Sequence, residues 1–316
     1  MQERIWVVGI EESGFILIQQ FFRGETFVLK ANGIGRELTF QIADIGICFL
    51  FHEALTGFTE MDDPSDVQAD MELRVHVGPA PKTAIQDILF DSGHTWALYQ
   101  SHGKYVLQND TLDADSHPDT YVIIESDFKS GDIYLAPDAV HKDLFSDPLG
   151  YPLNQILMIL LLSRSKGIIL HACGIRDGAR GYLFLGNSGD GKSTMAKVWF
   201  ENRATILNDD RIVIREKGGA FWMYGTPWHG DFKEWSSQGI AIEKMFFLHR
   251  GNGNAAVPKG GAEAVSMVLA RSFSPLWDEA GMAFTMDFCH RLASKVPCYE
   301  LSFSPDRNII EFVRGM

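Results

Sequence analysis

Apolar and polar positions alternate in two different ways along this chain. Up to about residue 137 the apolar positions come in short bursts, including Arg4–Val8, Phe15–Gln19, Thr26–Leu29, Leu73–Val77 and Tyr121–Glu125, with Gly, Asp and Asn between them. Bursts of that length set off by turn formers predict strands. From Leu153 to Ser165 the chain is apolar nearly all round and then stops near Gly167, the pattern of a buried helix. Between the two regimes, Asp143–Tyr151 carries Pro148 and is followed by Pro152, and proline there interrupts regular structure. A boundary near residue 145 follows: a β-rich domain over 1–145 and a second domain over 146–316. No internal repeat or low-complexity tract is present.

The second domain mixes the two periods. Ile168–Ile175 reads as a strand, Arg176–Gly181 as a turn, and Tyr182–Leu185 as the returning strand. A helix is expected over Lys192–Phe200, then strands at Thr205–Leu207, Arg211–Arg215 and Phe221–Tyr224, the last two joined at Gly218-Gly219. Helix-like runs at Ala262–Ser272 and Asp278–Ala293 precede a last strand at Cys298–Phe303. Asn208-Asp209-Asp210 is followed at once by Arg-Ile-Val-Ile-Arg and the Gly-Gly hairpin, so the pairing is antiparallel and the sheet of this α/β domain is mixed. If Gly178-Ala179 centre the first hairpin, paired residues sum to 357, which sets His171 opposite Gly186.

Composition narrows the partners. With 316 residues, 46% of them apolar, the chain can bury a sizeable core. Lys and Arg number 28 against 41 Asp and Glu, a net charge of −13 that argues against a nucleic-acid partner. The four cysteines form no C-x-x-C pair, which suggests neither a zinc site nor a disulfide framework and fits a reduced, cytoplasmic setting. The most apolar run, Ile156–Leu162, is far short of the roughly 20 residues of a spanning helix, and the N-terminus lacks a signal-type apolar stretch, so no membrane association is expected. The histidines of the first domain (His52, His76, His94, His102, His117) are isolated and read as surface or satisfied core residues.

The chemistry concentrates in one segment. Gly186-Asn187-Ser188-Gly189-Asp190-Gly191-Lys192-Ser193-Thr194 satisfies G-x-x-x-x-G-K-[ST] between a strand and a helix. Glycines let backbone N–H groups converge on phosphate oxygens, Lys192 adds a point charge, and the Ser193 hydroxyl suits Mg²⁺. Asp190 is expected to face solvent. Asp209 and Asp210 can serve one site only if the chain bends there or a strand ends, because neighbours on a strand face opposite ways; one would help hold the ion and the other take a proton. His171 would sit beside the phosphates, and the Gly225–Asp231 loop, with His229 and Asp231, would line the acceptor side. No N-K-x-D specifies guanine.

Leu-His-Ala on a strand, a hairpin, Gly-Asn-Ser-Gly-Asp-Gly-Lys-Ser and Leu-Asn-Asp-Asp-Arg-Ile-Val-Ile-Arg-Glu together resemble the HPr kinase/phosphorylase family, whose core is similar to ATP-dependent phosphoenolpyruvate carboxykinase. The resemblance covers about residues 167–232. It implies a mixed-sheet kinase core using ATP and Mg²⁺, with Lys192 on the β- and γ-phosphates and Ser193 and Asp209 holding the metal. It further implies Asp210 as the base that deprotonates an acceptor serine, supported by His171. The family's later glutamate-arginine-glycine signature has no convincing counterpart; the Gly225–Gly230 loop stands there instead, so the resemblance does not extend to phosphorolysis. It does not extend to HPr as acceptor either, because the N-terminal half does not match the family's accessory domain. The expected activity is therefore an ATP-dependent kinase acting on a hydroxyl, a serine in a protein or peptide, with homo-oligomerisation left open. A non-transferring nucleotide-binding regulator and a small-molecule kinase are the alternatives.

Overall fold

The computed structural model describes residues 4–9, 16–21, 27–31, 36–42, 45–50, 71–77, 80–81, 87–93, 96–109, 120–135, 140–141, 144–145 and 152–316, except 227, 229, 237 and 252. His52, His94, His117, His229 and most of the 143–151 stretch lie outside the described residues. The contacts divide the chain into two compact units, Met1–Glu11 with Ile16–Met158, and Glu12–Phe15 with Ile159–Met316.

Up to residue 145 the described part of the first unit is built of strands and their connections. An eight-stranded sheet runs in the order β2 (Ile16–Phe21), β1 (Arg4–Gly9), β6 (Met71–Val77), β11 (Ser130–Leu135), β10 (Thr120–Ile124), β9 (Lys104–Asn109), β8 (Trp96–Ser101), β7 (Asp87–Asp91). A five-stranded sheet follows the order β12 (Val140–His141), β13 (Leu144–Phe145), β5 (Ile45–Leu50), β4 (Arg36–Ile42), β3 (Phe27–Ala31). The five apolar bursts singled out in the sequence fall on β1, β2, β3, β6 and β10. His102 occupies the tight turn between β8 and β9, with its Nδ1 3.1 Å from the Ser101 hydroxyl.

The second unit is built on one mixed nine-stranded sheet. Its path is β19 (Gly239–Ala241), β18 (Ala220–Tyr224), β17 (Arg211–Lys217), β14 (Ile168–Asp177), β15 (Arg180–Leu185), β20 (Lys244–Arg250), β22 (Cys298–Phe303), β21 (Ala255–Lys259), with β16 (Thr205–Asn208) also paired to β14. Pairing is antiparallel from β19 to β15, and parallel from β15 to β20 to β22. The β14/β15 hairpin runs from Ala172↔Leu185 to Asp177↔Arg180, so each pair sums to 357 as the turn position predicts. At the β17/β18 turn, Gly218 and Gly219 both have positive φ (58° and 79°), the conformation a two-residue turn of matching twist requires and one that side chains resist.

Side chains alternate across this sheet with period two, and each face has its own helices. Ile168, Leu170 and Ala172 of β14 join Leu183, Leu185, Met245 and Phe247 in a core shared with α3 (Gly261–Leu269) and α4 (Glu279–Lys295). Cys173, Ile175, Tyr182, Phe184, Phe246 and Phe303 pack on the other face against α2 (Lys192–Glu201) and α5 (Asn308–Gly315). By the same parity His171 belongs to the α2 face. The helix expected over Leu153–Ser165 is α1 (Leu153–Leu162), its Ile156, Leu157, Met158 and Leu160 buried. Strands β19, β20 and β21 and helix α5 have no counterpart in the sequence reading. The result is a mixed α/β protein with antiparallel and mixed sheets.

Candidate functional site

The glycine-rich loop leaves β15 at Leu185 and enters α2 at Lys192. Met195, Ala196 and Trp199 recur at helical spacing and seat α2 in the core, which holds its first turn close after the C-terminal end of β15. Gly191 is the cap, at φ 102°, and a Cβ there would meet the Phe303 ring at 2.8 Å, so both conformation and space demand glycine. No side chain caps α2, and its leading N–H groups stay available to an anion. Lys192 is buried, and its ammonium donates to the carbonyls of Gly186 and Asn187, each at 3.0 Å. That uses two of its three N–H donors. Burial pulls its pKa below the ordinary lysine value, against the opposing charges of Asp210 and Asp190.

Asp190 does not face solvent as its charge suggested. Its carboxylate turns back into the loop and accepts the Asn187 N–H at 2.6 Å, so the loop supplies an anion to one of its own amides. The physical reason is the same convergence of N–H groups that makes such a loop attractive to phosphate.

The two adjacent aspartates share one site because the chain bends between β16 and β17. Asn208 makes the bend: its Oδ1 accepts the N–H groups of Asp210 (2.7 Å) and Arg211 (3.0 Å), and its Nδ2 donates to the Thr226 carbonyl (2.8 Å). Asp209, 1% exposed, accepts the Ser193 hydroxyl at 2.6 Å and the N–H groups of Gly230 (2.7 Å) and Phe232 (3.0 Å). The 225–231 loop therefore grips this carboxylate through its backbone. Asp210 sits between two partners, His171 Nε2 at 3.0 Å from Oδ1 and Arg211 Nη1 at 2.6 Å from Oδ2. Burial works to raise the Asp210 pKa, but the His171 hydrogen bond and the Arg211, His171 and Lys192 charges outweigh it and leave it below the ordinary aspartate value. Arg211 is itself held with its guanidinium 5.1 Å over the Phe273 ring.

His171, the 188–194 stretch, Asp209, Asp210 and Asp231 all line one cavity of about 580 Å³. His229 lies outside the described residues. The cavity also takes in Gly251, Phe303 and Pro305, which sequence reading passed over; it likewise missed Asn208 and Arg211, which hold the Asp210 backbone and carboxylate. The run Met245–Leu248, four apolar residues ahead of Gly251, was the available sign of a strand leading to the site.

The residues present fit a magnesium ion in one place. Ser193 and Asp209 put a hydroxyl and a carboxylate, both hard oxygen donors, within hydrogen-bond distance beside the loop. Among the described residues no group of three or more His, Cys, Asp or Glu could hold a metal alone. An ion here would complete its shell with phosphate oxygens and water, as Mg²⁺ commonly does. Among the described residues no helix is long and apolar enough to cross a membrane.

No family model matches the chain, and no curated protein does. Among solved structures it is similar to that of the Hpr(Ser) kinase/phosphatase from Coxiella burnetii, at 13% identity and a TM-score of 0.30, covering 46% of this chain and 94% of that one. The likeness is a distant one.

Proposed function

We propose that the second unit is an ATP-dependent phosphotransferase that moves the γ-phosphoryl group to a hydroxyl, a serine of a protein or peptide. One observation carries this reading: Lys192, the Ser193–Asp209 pair and the His171–Asp210 pair line a single cavity at the mouth of the glycine-rich loop.

In this reading the loop amides and Lys192 bind the β- and γ-phosphates, and the third Lys192 N–H is the one aimed at them. Bound Mg²⁺, held by Ser193 and Asp209, would supply further neutralisation of phosphate charge. The acceptor oxygen bonds to the γ-phosphorus as the bond from phosphorus to the β,γ-bridging oxygen breaks, and the hydroxyl proton passes to Asp210. His171 holds Asp210 Oδ1 and Arg211 holds Oδ2, so the carboxylate is fixed in place from both sides, and the acceptor hydroxyl would have to compete with one of these contacts. A carboxylate whose pKa is depressed accepts a proton late, so position and charge neutralisation carry most of the rate.

The test is incubation with γ-labelled ATP, Mg²⁺ and a cell extract. Wild type is expected to label an acceptor, and Lys192→Ala and Asp210→Asn are expected to lose the label. Equal labelling by all three would overturn the assigned roles. A second reading, a nucleotide-binding regulator without transfer, is favoured by the fact that both Asp210 oxygens already carry partners. In that case Mg-ATP binds, no acceptor is labelled, and Asp210→Asn leaves the output unchanged.

A further inference from the structure

The order of strands divides the cavity into two chemically different flanks. The glycine-rich loop rises from the end of β15. On one side stand β14, bearing His171, and β17, preceded by Asp209 and Asp210; on the other stand β20, followed by Gly251, and β22, ending in Phe303 and followed by Pro305. Neighbouring strands lie about 4.8 Å apart, so β17 and β22 are each about two strand spacings from β15, in opposite directions. If phosphoryl transfer occurs on the Asp210 side, the nucleoside must leave the loop on the other.

Among the described residues, that second flank offers little to read a base with. Its described cavity wall is Gly251, the Phe303 ring and Pro305, none of which has a side-chain hydrogen-bonding group. Among the described residues, three polar side chains beside that wall bond to the neighbouring loop: Asn254 Oδ1 accepts the Ser304 N–H (2.9 Å), the Ser304 hydroxyl accepts the Gly253 N–H (3.0 Å), and the Ser302 hydroxyl donates to the Gly253 carbonyl (3.2 Å). Sites that select strongly do so with polar groups that a wrong ligand leaves unpaired; apolar walls discriminate weakly.

Resting on the phosphotransferase reading, we infer that the nucleoside of the donor lies on Gly251, Phe303 and Pro305, and that the site accepts purine and pyrimidine nucleoside triphosphates alike. The affinity comes from the polyphosphate and from contact between the base and this apolar wall.

Calorimetry with Mg²⁺ and ATP, GTP, CTP or UTP, and with magnesium tripolyphosphate as a ligand lacking a nucleoside, tests it on the full chain. Dissociation constants for the four nucleotides are expected to agree within about tenfold. Pro305→Gly, at an exposed position, is expected to weaken all four by a few-fold while leaving tripolyphosphate unchanged. Binding of ATP at least about 100-fold tighter than the others, or a Pro305→Gly effect equal on tripolyphosphate and nucleotides, overturns this inference and leaves the kinase reading standing. No heat with any of the five ligands overturns both.

Discussion

The two halves of the second unit's sheet contribute to the cavity in different currencies. The antiparallel half, β14 to β18, supplies side chains: His171, Asp209, Asp210 and Arg211 are each locked by at least one named hydrogen bond, and Asn208 exists to shape the bend that carries them. The parallel half, β15 to β22, supplies the loop, with Lys192 and Ser193 at its end, and beyond the loop only glycine, proline and ring faces: Gly251, Phe303 and Pro305. The difference teaches where chemistry is vulnerable. A hydrogen-bonded, buried side chain fails when one atom changes, whereas an apolar wall fails only when its bulk does.

The largest contrast should come from exchanging one substitution on each side. Asp210→Asn removes the proposed proton acceptor and is expected to lower label transfer by about 10²- to 10⁴-fold. Pro305→Gly is expected to act on the nucleotide KM and not by such factors on kcat. Comparable losses of kcat from both would erase the distinction between the halves.

Stability should divide the same way. Asp209→Ala takes the acceptor from the Gly230 and Phe232 N–H groups at a part-buried site, which water reaches in part, at about 1–3 kcal/mol in all. Thermal melts are expected to show a loss of several degrees, and Pro305→Gly a far smaller one, since exposed positions change stability by about 0.5 kcal/mol or less. An unchanged melt for Asp209→Ala would mean that the 225–231 loop is not held by this carboxylate.

Much of the second unit was legible in the sequence, and the reasons it was are local. β22 coincides with the predicted Cys298–Phe303, α2 starts at the predicted Lys192, and the hairpin register follows from Gly178-Ala179 alone. These depend on turn chemistry and periodicity within a few residues. The Asp209-Asp210 bend was anticipated as a condition, and Asn208 meets it. What was not legible depends on tertiary pairing. β20 offers only four consecutive apolar residues, and the edge strand β21 contains Pro258, which argues against a strand on propensity. Without β20 and β22 placed beside β15, nothing marks Gly251 or Pro305 as neighbours of the loop. Nor does a sequence reveal that Asp190 bends inward, because the competitor for its solvation is a set of amides that converge only after folding.

A smaller effect follows from the Asp210 partners. Its folded pKa lies below 3.8, so the charged carboxylate stabilises the fold above that value, and the contribution is lost as pH falls through the lower folded pKa. The melting difference between wild type and Asp210→Asn is therefore expected to be constant near neutral pH and to shrink only below about pH 4. A difference that grew on acidification would place the His171 and Arg211 contacts elsewhere.

The smallest effect expected has the opposite sign and concerns the loop between the halves. Asp190 places a negative charge on an amide that, in the proposed reading, belongs to phosphate. A nucleotide must displace that carboxylate or bind beside it, and either costs affinity. Asp190→Asn keeps an oxygen acceptor for the Asn187 N–H and removes the charge, so magnesium ATP should bind a few-fold tighter. Asp190 is half-buried, so salt screens the repulsion in part, and the gain should be larger at 10 mM than at 150 mM ionic strength, where the screening length falls from about 30 Å to about 8 Å. Weaker binding by Asp190→Asn at both salt concentrations would assign the carboxylate the other role, that of a strut whose ionic hydrogen bond keeps the loop in its binding shape.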